Sequence, residues 1–127
     1  MVASVSPTDT RVLAHRISRN MALLVKQPIL RTSEEIFTDL GYVQISEAKF
    51  SRRLEQFYAA QERFDDHVIH ELRSPLSIMV GYLELIQESL GAEVGLDRLD
   101  SMTVNLLDDL YQDSLAMCSM LEKQYNR

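Results

Sequence analysis

A chain of 127 residues, 46% of them hydrophobic, is long enough for one domain with a packed core and too apolar for a disordered segment. Its net charge of −6 is unevenly placed: residues 11–31 carry Arg11, Arg16, Arg19, Lys26 and Arg31 with no acid, whereas from Phe64 onward twelve Asp or Glu face four Lys or Arg, a balance that argues against nucleic acid as a partner. The single Cys118 excludes an internal disulfide, no stretch approaches the roughly 18 apolar residues of a spanning helix, and no apolar leader opens the sequence, so the expectation is a soluble cytoplasmic protein.

With only four Gly and three Pro, the pattern favours long helices and an all-α fold. Residues 1–9 are expected to fray. A first amphipathic helix is predicted from about Thr10 to Lys26, with Leu13, Ile17, Met21 and Leu24 near one face, and Pro28 interrupts it. The basic residues of this stretch have no aromatic anchors for a membrane surface, so it should pack on the acidic half of the chain. Thr32 followed by Glu35 has capping-box spacing and should open a short helix that Gly41 closes. Ser46 then caps a long helix running to about Glu88. Its seam is Leu54, Phe57, Gln61, Phe64, Val68 and Leu72, continued by Pro75, Met79, Tyr82 and Ile86. Gly91 and Gly95 mark a turn, Asp97 is placed to cap the last helix, and the seam of that helix is Leu99, Met102, Leu106, Leu110, Met117 and Leu121, broken by Ser114.

The 3,4 spacing of both seams suits packing at a shallow crossing angle. An antiparallel helical hairpin of this kind leaves one broad apolar face uncovered, which a symmetric homodimer would cover as a four-helix bundle. The chain is thereby divided into an N-terminal helical or linker segment, 1–45, and a hairpin, 46–127. No repeat or low-complexity stretch occurs.

Chemistry is concentrated in the run from Phe64 to Ile78, which contains His70-Glu71-Leu72-Arg73-Ser74-Pro75-Leu76. On a helical wheel His70 falls roughly 140–160° from the centre of the seam and should project into solvent with His67, Ser74 and Ser77. Imidazole is a good phosphoryl acceptor because it is nucleophilic when neutral near pH 7. Pro75 removes a backbone hydrogen bond one turn after His70 and should bend the helix there.

This run closely resembles the histidine box of two-component sensor histidine kinases. Phe64 stands six residues ahead of the histidine, as in that family, and Gly81-Tyr82-Leu83-Glu84-Leu85 matches the usual continuation of the helix. The resemblance extends from about Leu54 to Leu121, the dimerisation and histidine-phosphotransfer hairpin. It implies that His70 is the phosphoacceptor and that Glu71 orients and activates the imidazole. Ser74 occupies the position where a Thr or Asn of the family positions water to dephosphorylate a response regulator; serine keeps the hydroxyl but lacks the methyl that fixes its rotamer. Residues 28–53 are also similar, faintly, to the linker that precedes this hairpin in membrane kinases.

The family's ATP-binding domain, with its glycine-rich motifs, has no counterpart here. The expectation is therefore a phosphotransfer protein with no cofactor of its own, which meets ATP and magnesium only through a partner kinase or receiver domain. Its expected partners are a second copy, a response regulator's receiver domain and a sensor histidine kinase. Two other readings stand beside the relay: a non-catalytic module that forms mixed dimers with a kinase and inhibits it, and a fragment of a larger histidine kinase. His67 with His70 lacks a third ligand for a metal, His15 is assigned no role, and Cys118 is read as a small core residue.

Overall fold

Proline, capping side chains and one left-handed residue divide the described residues into four α-helices. The computed structural model describes the backbone of residues 7–93 and 100–125 and the side chains of 10–92 and 100–123. Helix α1 spans Pro7–Leu24. A 3-10 turn follows at Pro28–Arg31, because proline cannot continue a helix and holds the preceding Gln27 extended. Helix α2 spans Glu34–Ala60, α3 spans Asp66–Glu93 and α4 spans Ser101–Tyr125. The described residues contain no strand, and no described helix is long and apolar enough to cross a membrane.

The four helices pack around a common core. Ile17 and Leu24 of α1, Ile36, Val43 and Phe50 of α2, Leu72, Leu76, Met79, Leu83 and Ile86 of α3, and Leu110 and Met117 of α4 are all fully buried. Each such side chain contributes about 1.5–3 kcal/mol by leaving water. In consequence, the apolar faces of α3 and α4 are covered by α1 and α2 of the same chain. Helix α1 lies along α4, where Arg16 Nη2 meets Asp113 Oδ1 at 3.0 Å and Thr103 Oγ1 donates to Gln27 Oε1 at 3.3 Å. The basic N-terminal stretch is thus set against an acidic helix. Asp113 is almost wholly buried, its Oδ2 has no hydrogen-bond partner, and burial pushes its carboxyl above the usual carboxylate range.

Several boundaries differ from the sequence expectation. Ser33, not Thr32, caps α2, through a hydrogen bond of 3.4 Å from Ile36 N–H; the Thr32 hydroxyl donates instead to the Ile29 carbonyl. Gly41 does not end a helix and Ser46 does not begin one. Buried Ile36, Leu40, Val43 and Phe50 keep helical spacing across both positions, and Ser46 is itself buried in mid-helix, so the division expected at residue 45 falls inside α2. Asp100 caps α4, accepting from Thr103 N–H at 2.7 Å, while Gly95, Asp97 and Leu99 lie outside the described residues.

The largest difference is a break in the helix expected to run from Ser46 to Glu88. Gln61 adopts left-handed φ 50° and ψ 45°, its N–H donates to the carbonyls of Phe57 and Tyr58, and Glu62 N–H reaches Phe57 O at 3.1 Å. This is the Schellman stop, built here on glutamine where glycine is usual. The chain turns, Phe64 packs on Phe57 with ring centroids 4.4 Å apart, and Asp65 Oδ1 caps α3 by accepting from Val68 N–H at 2.9 Å. A left-handed L-residue costs roughly 1–2 kcal/mol, part of which glycine returns as chain entropy. Gln61→Gly is therefore expected to stabilise the fold by about 0.5–1 kcal/mol, read as a higher urea midpoint. A lower midpoint would show that the glutamine side chain contributes something the turn needs.

Candidate functional site

The turn at residues 61–65 folds α2 back along α3 and so decides what surrounds His70. His70 lies early in α3 and is exposed, while Val68, Ile69 and Leu72 beside it are buried. The helix face therefore puts the imidazole in solvent, as the wheel predicted. No hydrogen-bond or ion-pair partner for its side chain occurs among the described residues. Helix α3 continues through Pro75, which is buried. The Ser74 hydroxyl donates to the His70 carbonyl at 3.0 Å. That bond commits the hydroxyl's one proton within its own helix and leaves its oxygen as an acceptor.

Glu71 is placed otherwise than expected. Its Oε1 accepts from Arg53 Nη2 at 3.1 Å and lies 3.0 Å from His67 Nε2, one helical turn earlier on the same face. The carboxylate therefore holds His67 and Arg53 rather than the ring of His70. Arg53 also forks onto Glu62, at 2.7 and 2.9 Å. The hydrogen bonds that Arg53 donates to Glu62 first, and then to Glu71, raise the guanidinium pKa, and Arg53 in turn holds the Glu62 carboxyl below its usual range. Two carboxylates around one planar cation make a rigid clamp across the turn.

Beside this clamp an open groove of about 410 Å³ runs between α2 and α3, lined by Ser46, Lys49, Arg53, His70, Glu71, Ser74, Pro75 and Ile78. On its other side His70 borders a shallower depression with Arg73, Ser77 and Ile78, where Arg73 is paired to Glu122 at 2.9 Å. Further along α2 and α3, Tyr42 stacks on Tyr82 with centroids 4.7 Å apart, and Ile45, Ile78 and Leu85 are exposed. A larger groove of about 520 Å³ separates α1 from α2 and contains His15 but none of the predicted site residues. Cys118 is partly buried, and burial raises its thiol pKa. Among the described residues no cluster of His, Cys, Asp or Glu is arranged to hold a metal.

No protein-family model, curated protein or solved structure matches this chain. The site therefore rests on its own residues. Sequence reasoning found His70, Glu71, Ser74 and Pro75, which the structure gathers on one groove, and missed Lys49 and Arg53. In an unbroken helix from Ser46 to Glu88 those two cations would lie roughly 25–32 Å from His70, at 1.5 Å per residue. The available signal was Asp65-Asp66 ahead of buried Val68 and Ile69, an acidic cap before an apolar run.

Proposed function

We propose that this chain is a phosphoacceptor of a two-component phosphorelay, with His70 exchanging a phosphoryl group with the aspartate of a receiver domain or taking it from a partner kinase. The observation that carries this is an exposed, unpartnered imidazole inside the His-Glu-Leu-Arg-Ser-Pro-Leu run, on a helix held rigid by Leu72, Leu76 and Met79 behind it. In the forward step an imidazole nitrogen attacks phosphorus, the bond from phosphorus to the donor's oxygen breaks, and the ring proton passes to solvent. The partner supplies the metal ion, and ATP where a kinase is the donor. The chain supplies orientation and charge.

Two further features support the reading. Arg73 pairs with Glu122 and Glu84 with Tyr111, so residue numbers rise along α3 as they fall along α4, the sense of an antiparallel hairpin. Exposed Ile78 lines the His70 groove, and Tyr42, Ile45 and Leu85 are exposed further along the same two helices, as suits a protein partner more than a small molecule. A homodimer, the expected cover for the hairpin face, would have to form through other surfaces, because α1 and α2 already occupy that face. The same occupancy counts against mixed dimers with a kinase. Ser74, tied to the His70 carbonyl, gives no support for phosphatase activity.

A phosphorylated receiver, or a kinase domain supplied in trans, should transfer label to the chain. The label should be acid-labile and base-stable, as a phosphoramidate is and a phosphoserine is not. Absence of label from every receiver, kinase and small phosphoryl donor would defeat the proposal.

A further inference from the structure

We infer that the groove between α2 and α3 is an oxyanion site for the phosphoryl group on His70, with the Lys49 ammonium as its cation, an inference that rests on the acceptor reading above. A phosphoryl group on an exposed ring carries negative charge and acceptor oxygens, and charge-assisted donors stabilise it more than water does. The groove brings two cations of α2 to the same cavity as His70, Lys49 and Arg53, one turn apart on one helix face. Their situations are opposite. Arg53 is bound to both Glu62 and Glu71, so its charge is matched and its position fixed. Lys49 is exposed and has no hydrogen-bond or ion-pair partner among the described residues. On the far side of His70, Arg73 is paired to Glu122.

The clamp thus does two things for Lys49. It draws the Glu71 carboxylate to Arg53 and His67, so that this anion is compensated before another arrives. It also leaves the ammonium as the uncommitted charge of the groove. A flexible stem carrying a compact point charge suits an anion that must enter and leave. Lys49 acts on the phosphoryl group and does not itself exchange a bond with it.

Phosphoramidate is the direct probe: the His70 nitrogen attacks phosphorus, the bond from phosphorus to the donor's nitrogen breaks, and ammonia leaves with the proton. Lys49→Met should slow this labelling about tenfold, equivalent to about 1.4 kcal/mol of lost stabilisation, and Lys49→Arg should restore most of it. Circular dichroism should be unchanged, since Lys49 is exposed. In a second arm, inorganic phosphate at constant ionic strength should shift the His70 ring proton signals saturably in the wild type and not in Lys49→Met. Labelling at equal rates in wild type and Lys49→Met, with no phosphate-induced shift, overturns the Lys49 site and leaves His70 as acceptor. A Lys49-dependent phosphate shift without any labelling sustains the site and defeats the acceptor reading. Neither effect in the wild type overturns both.

Discussion

His70→Gln is expected to abolish phosphoryl labelling completely, while His67→Gln should retain most of it. Both imidazoles are exposed on the first turns of α3, so access alone does not separate them. Their partners do. The outer nitrogen of His67, Nε2, lies 3.0 Å from Glu71 Oε1, which leaves only Nδ1, crowded by the residue's own backbone, to meet an incoming phosphorus. The His70 ring has no such bond and opens on a groove that contains Lys49. Glutamine keeps the helix and removes the nucleophile, so the expected loss is total and not graded. Phosphorus NMR of the labelled chain, with tryptic mapping at alkaline pH, checks this. The opposite result, label lost in His67→Gln and kept in His70→Gln, would mean that Glu71 activates the histidine it touches and that the acceptor lies one turn earlier.

The second large effect concerns the scaffold. Phe50→Ala should cost about 3–5 kcal/mol, the usual cost of truncating a buried phenylalanine. A domain of this size is typically stable by about 5–15 kcal/mol, so the variant should unfold at far lower urea. Phe50 is fully buried and sits next to Lys49 in α2, with the core on one side and the groove on the other. Phe37, 56% exposed on the same helix, is the control, and Phe37→Ala should shift stability by no more than about 0.5 kcal/mol. Equal losses in the two variants would mean that α2 is not seated on the core as described.

Periodicity carried much of this arrangement in legible form. Leu13, Ile17, Met21 and Leu24 were expected on one face of α1 and are buried, as are Val68, Leu72, Met79 and Ile86 in α3 and Leu106, Leu110, Met117 and Leu121 in α4. The exposure of His70 follows from the same spacing. Tyr82 was expected in the seam, but Leu83 is fully buried there and Tyr82, only partly buried at the edge of the core, stacks on Tyr42, because a strict 3,4 pattern drifts against the 3.6-residue turn. Met102 is exposed for the same reason. The stop at Gln61 was not legible. A left-handed glutamine carries none of glycine's signal, and the contacts that stabilise it, Arg53 with Glu62 and Glu71, bridge residues whose proximity exists only after the chain has turned. The expected cover by a second copy had the same root, since one long helix leaves no α2 to fold back.

The seating of α1 on α4 bears on the order in which the chain acquires its shape. Helix α1, made before α4, has its main surface against it, joined by Arg16 to Asp113 and, just past its end, by Thr103 to Gln27, and touches α2 more sparingly. During synthesis the α2–α3 pair, joined by a short turn, can close early, as local contacts do. The apolar face of Ile17, Met21 and Leu24 waits for residues beyond Ser101 before it is sheltered along its length. Until then that face is exposed, and the docking of α1 on α4 is the step that takes it out of water and out of reach of misassembly.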